Sequence, residues 1–144
     1  MPELSWNSGG NRILLDLLVL RAGDPADMTA APARALLDTG ATVSGIGPRI
    51  IDGLGLTSYG KKRLKSATEE AFVDYYLFRI GFDVPDDRFE SEDSARLPFV
   101  FDELDGFSWG RSADFDVILG MDVIRACDLK LMRNGRCTLA FGLA

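Results

Sequence analysis

The sequence predicts an all-β domain, a closed barrel or sandwich of short strands with one or two short helices. Three observations predict it. Short apolar runs alternate with Gly, Pro, Asp and Asn turn residues along most of the chain. Residues Phe72 to Ile80 are rich in aromatic and β-branched side chains, which fit a pleated surface. Asn134-Gly135, the strongest two-residue hairpin turn in the chain, sits between two further apolar runs. At 144 residues and 47% apolar content, the chain is sized for one domain and has enough apolar surface for a packed core.

Residues 1–10 end in Ser8-Gly9-Gly10 and read as a loose or weakly docked N-terminal tail, leaving 11–144 as the domain. Arg12 to Leu20 suggests a strand, with a helix as the competing reading because Leu and Asp are weak strand formers. Residues 22–32 carry turn chemistry and predict a wide connection. Ala33 to Leu37 reads as a short buried strand, followed by a second around Thr42–Ile46. Gly47-Pro48 then predicts a helix over Arg49 to about Leu54, with Pro at its first position and a stop at Gly55.

Arg63–Ser66 and Phe72–Ile80 predict a hairpin around the polar tip Ala67-Thr68-Glu69-Glu70-Ala71. Residues 83–96 are the most acidic stretch and predict an exposed loop. Asp116 to Gly120 reads as a buried strand closing on glycine, Met121–Ala126 as a short helix, and Asp128–Met132 as a strand. After the Asn134-Gly135 turn, Arg136–Phe141 is the returning strand. No repeat occurs at solenoid periods.

Composition removes several chemistries. The chain has no histidine, so Ser–His or Cys–His catalysis and histidine-ligated metal sites are excluded. Two cysteines, Cys127 and Cys137, are too few for a four-cysteine metal site; they read as buried thiols in a reduced compartment, with a single bridge as the alternative. Asp102, Glu103 and Asp105 lack calcium-loop spacing and read as loop surface, so no metal or other cofactor is expected. A net charge of −6 argues against nucleic acid. The basic cluster Lys61-Lys62-Arg63-x-Lys65 reads as a solvated strand or loop. Ile13 to Leu20 is too short to span a bilayer and, with Glu3 ahead of it and Asp16 inside it, makes a poor secretion signal. A cytoplasmic protein without membrane contact is the expectation.

Two segments carry chemistry: Leu36-Leu37-Asp38-Thr39-Gly40-Ala41-Thr42 and Val117-Ile118-Leu119-Gly120-Met121-Asp122. The first sets an acid on a turn directly after an apolar strand. Gly40 allows close backbone passage and unusual dihedrals, Thr39 offers a hydroxyl to brace the turn, and Leu36 and Leu37 anchor it. An aspartate so placed lies on a partly desolvated cleft floor, where its ionisation responds to neighbours. Asp-x-Gly alone is ordinary turn chemistry; the apolar flanks and the later apolar-apolar-Gly strand ending raise its meaning. Asp122 reads as a helix N-terminal acid favoured by the helix dipole. Trp6, Trp109, Tyr75 and Tyr76 read as packing residues.

Together these segments resemble the retropepsin family, the single-domain aspartic proteases of retroviruses and their bacterial relatives. Leu-Leu-Asp-Thr-Gly-Ala at 36–41 resembles that family's catalytic turn, and Val-Ile-Leu-Gly-Met-Asp at 117–122 its characteristic strand, glycine and helix start. Gly-Arg-Cys-Thr-Leu-Ala-Phe at 135–141 is similar to the terminal strand that retroviral enzymes place in their dimer interface. The resemblance implies that Asp38 is catalytic, with turn support from Thr39, Gly40 and Ala41, and that Thr39 hydrogen-bonds across the dimer. It implies a flap at about 63–80 whose tip, Ser66, Ala67, Thr68 and Glu69 onward, closes over substrate. It makes Ile118, Leu119 and Gly120 the strand supporting the cleft. Retroviral flaps carry glycines at the tip, whereas this chain has none between Gly60 and Gly81. The acidic stretch at 83–96 has no counterpart in the family.

Peptide hydrolysis by this route needs one carboxylate as base toward water and a second, protonated, as acid toward the carbonyl. Asp38-Thr39-Gly40 is the chain's one Asp-(Ser/Thr)-Gly; Asp93-Ser94-Ala95 lies in a polar stretch without a preceding apolar strand. A two-fold homodimer would supply the second Asp38. The expectation is an aspartic endopeptidase acting on polypeptides below neutral pH. The alternative is a dimeric peptide-binding or assembly module that keeps this fold with little or no turnover.

Overall fold

The computed structural model describes residues 2–65, 69–83, 98–111 and 113–141. Among these residues eleven strands and two short helices follow in the order β1 (Glu3–Asn7), β2 (Leu14–Arg21), β3 (Ala30–Leu37), β4 (Gly45–Ile46), α1 (Pro48–Leu54), β5 (Gly60–Lys65), β6 (Glu70–Phe82), β7 (Phe99–Val100), β8 (Leu104–Ser108), β9 (Val117–Leu119), α2 (Met121–Ile124), β10 (Cys127–Leu131) and β11 (Arg136–Phe141). The all-β expectation holds. One sheet runs β2-β3-β9-β4-β8-β6, and β2 also pairs with β6, so these strands close into a barrel with β5 attached as an outer edge. Closure leaves the barrel strands without free edges except where neighbours are short.

The core explains the strand pattern. Leu15, Leu17 and Val19 point inward from β2, and Ala33, Ala35 and Leu37 from β3, the period-2 alternation of strands buried on one face. Phe78, Ile80 and Phe82 do the same from β6. Phe82, Phe99, Phe101 and Phe141 stack with ring centroids 4.8–5.7 Å apart, joining the barrel to β11. Arg79 is buried beside this core, and its guanidinium is satisfied by the carbonyls of Arg21 and Asp27.

Several boundaries differ from the sequence reading. Residues 3–7 are not a loose tail: β1 pairs antiparallel with β11, from Glu3 opposite Ala140 to Asn7 opposite Arg136. β3 begins at Ala30, inside the expected connection, and tolerates Pro32 because β9 borders it only at Ala35–Leu37. The strand expected at Thr42–Ile46 is reduced to Gly45–Ile46. Glu70 and Ala71 belong to β6 rather than to the hairpin tip, opposite Lys65 and Leu64. Asp105 lies in β8 rather than in a loop. α2 stops at Ile124, not Ala126. α1 matches its expectation, with Pro48 in its first turn and Gly55 closing it at φ 62°. The acidic stretch at 83–96 lies outside the described residues, apart from the exposed Asp83.

β10, β11 and β1 form a separate three-stranded sheet in the order β1-β11-β10, joined by the Asn134-Gly135 turn as expected. β11 is its central strand. Both of its edges are bonded within the chain, so this strand cannot offer a free edge to another protomer. Among the described residues, no helix is long and apolar enough to cross a membrane.

Candidate active site

Asp38 follows the last residue of β3 and is half-buried. Three backbone bonds fix its turn. Leu37 N–H donates to Ile13 O at 2.9 Å, Asp38 N–H to Leu119 O at 3.0 Å, and Ala41 N–H to Asp38 O at 3.2 Å. The Asp38 carboxylate accepts the Gly40 N–H through Oδ1 at 2.9 Å, an Asx turn that orients it. Gly40 has no left-handed backbone; a Cβ there would lie a tight 3.2 Å from Asp38 Oδ1, so a larger residue would push on the carboxylate. Thr39 is exposed and Ala41 half-exposed.

The second motif backs the first. β3 and β9 run parallel, with Leu36 beside Ile118 and Leu37 beside Leu119. Met121 N–H then donates to Ala41 O at 2.7 Å, tying the start of α2 to the end of the aspartate turn. Gly120 sits where no side chain fits: a Cβ would come within 2.7 Å of the Val43 backbone and 2.9 Å of Ala41 O. Asp38, Gly40 and Ala41 are thus brought together with Leu119 and Gly120.

One part of this site is not evident in the sequence. Ser44 is fully buried; its hydroxyl donates to Asp122 Oδ1 at 2.7 Å, and its N–H donates to Asp122 Oδ2 at 3.0 Å. Gly120 N–H in turn donates to Ser44 Oγ at 2.9 Å. Asp122 does occupy the first turn of α2, but its main partners are Ser44 and the Val123 N–H, so it locks two loops together rather than only matching a dipole. A Ser-Gly pair shortly after the acid, with an acid after Gly120, was the available signal; a separation of 78 residues hid it.

An outer brace lies at the opposite end of β9. Asp116 accepts Arg49 Nε at 2.8 Å and Nη2 at 2.7 Å, and the Arg34 N–H at 3.0 Å. The Arg49 guanidinium holds the Asp116 carboxyl below the usual carboxylate range, against the opposing effect of burial.

The β5–β6 hairpin stands apart from these bonds. Ser66, Ala67 and Thr68 lie outside the described residues, and Glu69 is exposed. Glu69 lines a cavity of about 830 Å³ with Leu64, Phe72, Asp52, Tyr76 and Trp109, between the hairpin, α1 and the stretch after β8. Asp38 does not line it. Tyr75 is buried and Trp6 and Tyr76 pack on the core, whereas Trp109, stacked 5.8 Å from Phe115, also forms cavity wall. The basic cluster lies on the β5 edge strand. There Lys62 bonds Asp105 at 2.7 Å, caps the Tyr59 and Tyr75 rings, and is raised in pKa chiefly by the Asp105 bond. Cys127 and Cys137 are free thiols, Cys137 buried and Cys127 half-buried; desolvation, then Asp128, pushes Cys127 up to about 11, which suppresses its thiolate.

No family model and no curated protein matches the chain. The crystal structure of a retropepsin-like aspartic protease from Rickettsia conorii is similar in shape, with TM-score 0.48 and 12% identity over 95% of this chain and 99% of that one.

Proposed function

We propose that the chain is an aspartic endopeptidase whose site is completed when two copies bring their Asp38 residues together. The observation that carries this reading is the locked Asp38 turn, a half-buried carboxylate oriented by Gly40 and backed by Leu119, Gly120 and α2. This rigidity suits a group whose position must be held within fractions of an ångström while its proton moves. With Oδ1 engaged by Gly40, Oδ2 is the oxygen that meets the shared water.

Two carboxyls in contact hold one proton between them, because ionising both is costly. The ionised member takes a proton from water as the water oxygen bonds to the peptide carbon. The other donates its proton to the carbonyl oxygen, giving a tetrahedral diol. Collapse re-forms the carbonyl, the C–N bond breaks, and the nitrogen leaves with a proton from the pair. Substrate is an extended polypeptide with apolar side chains near the scissile bond. The β5–β6 hairpin serves as the cover, and no cofactor takes part.

Cleavage of a mixed peptide library across pH tests the reading. Asp38→Asn should lower cleavage by roughly 10²–10⁴-fold or more at every pH while the chain stays folded. Undiminished cleavage by that variant defeats the proposal; a dimer that binds peptides yet leaves them whole favours the peptide-binding alternative.

A further inference from the structure

We infer that two copies join through the free edge of β10, in one register, to make a continuous six-stranded sheet; this rests on the proposed two-chain site. Since β11 is bonded on both sides, strand pairing through the small sheet must use one of its outer strands. β1 is flanked by its own chain, with Trp6 and Asn7 sharing a cavity of about 320 Å³ with Leu14, Leu15, Asp16 and Arg34. Among the described residues no strand pairs with the other edge of β10. β10 is also closely tied to the site. It follows α2 after two residues, and α2 is bonded to the Asp38 turn through Met121.

The backbone fixes which groups the edge presents. Met132 N–H donates to Arg136 O at 2.8 Å, so by antiparallel alternation Lys130 and Asp128 also bond toward β11. Cys127, Leu129 and Leu131 therefore direct their N–H and C=O groups to the open side. A two-fold axis can pass through such an edge only opposite a residue, never between two. Centred on Asp128 or on Lys130, it sets identical charges face to face. Centred on Leu129, it sets Asp128 opposite the partner's Lys130 twice over, on one face. On the other face it sets Leu131, 51% exposed in the single chain, against the partner's Cys127, and Leu129 against its own copy. Charge, hydrogen bonding and apolar cover agree on that register alone. Across the ladder Asp128 and Lys130 face Ala140 and Thr138, so β11 sets no charge opposite either.

The test is sedimentation of the full chain across concentration, with far-UV circular dichroism as the folding check. Asp128→Lys and Lys130→Asp should each weaken the dimer by roughly tenfold or more, since two attractive pairs become two repulsive ones. An equimolar mixture of the two variants should re-form a dimer of parental affinity, and so should the double exchange Asp128→Lys with Lys130→Asp. Unchanged dimers in the single variants, or no recovery in the mixture, overturn the register and leave Lys130 as a guard against edge pairing. A parental dimer that fails to cleave peptides defeats the proposed activity while this interface stands. A parent that stays monomeric at every concentration defeats both.

Discussion

The aspartate turn and the β5–β6 hairpin are held in opposite ways. Around Asp38 nearly every constraint is backbone: Leu37 to Ile13, Asp38 to Leu119, Met121 to Ala41, with the buried Ser44 bonded to the half-buried Asp122 beside them. The hairpin ladder is local, and its side chains engage in solvent, Lys62 with Asp105, and Arg63 and Lys65 with Glu70. Exposed ion pairs of this kind contribute little and weaken with salt. The Asp38 turn is anchored by non-local backbone bonds and the Ser44–Asp122 lock, while the hairpin relies on its own ladder and on exposed, screenable ion pairs.

Gly120→Ala should produce the largest effect on the locked side. The added methyl meets backbone of Val43 and Ala41 that cannot yield, costing about 3 kcal/mol in denaturant unfolding and abolishing cleavage. Parental stability in that variant would show the contact to be soft. Ser44→Ala comes next, at about 1–3 kcal/mol, because the Gly120 N–H and a carboxylate oxygen of Asp122 lose their hydroxyl partner. Its cleavage should fall more than its stability alone explains at temperatures well below melting.

Arg49→Met tests the outer brace through pH. Asp116 is depressed in the folded state, so its stabilisation is present above the ordinary carboxylate value of about 4 and is lost as pH falls through the lower folded value. The variant should melt below the parent at pH 7, and the gap should close toward pH 2; a constant gap would assign the loss to packing. Lys62→Met should have the smallest effect. Melting barely moves, hairpin amide exchange rises, and added salt brings the parent toward the variant.

What the sequence discloses follows the range of the interactions. The Asp38 turn is local, an apolar run into Asp-Thr-Gly, and Asn134-Gly135 fixes its hairpin within two residues. β8 escapes notice because Asp102, Glu103 and Asp105 make its surroundings look like an acidic loop, while Gly106 interrupts the alternation. β1 does alternate, with Leu4 and Trp6 inward, but its strand identity depends on a partner far away in sequence, the separation running from 137 between Glu3 and Ala140 to 129 between Asn7 and Arg136. The central place of β11 between β1 and β10 is likewise set by that distant pairing.

The central claim is that one site needs two Asp38 residues, and mixing the parent with Asp38→Asn tests it most directly. At total concentrations well above the dimer dissociation constant, with subunits allowed to exchange, an equal amount of variant should cut activity per parent chain to about one half, and a ninefold excess to about one tenth, because mixed dimers hold a single acid. Activity per parent chain that stays constant as the variant is added would contradict the account, since each Asp38 would then work alone.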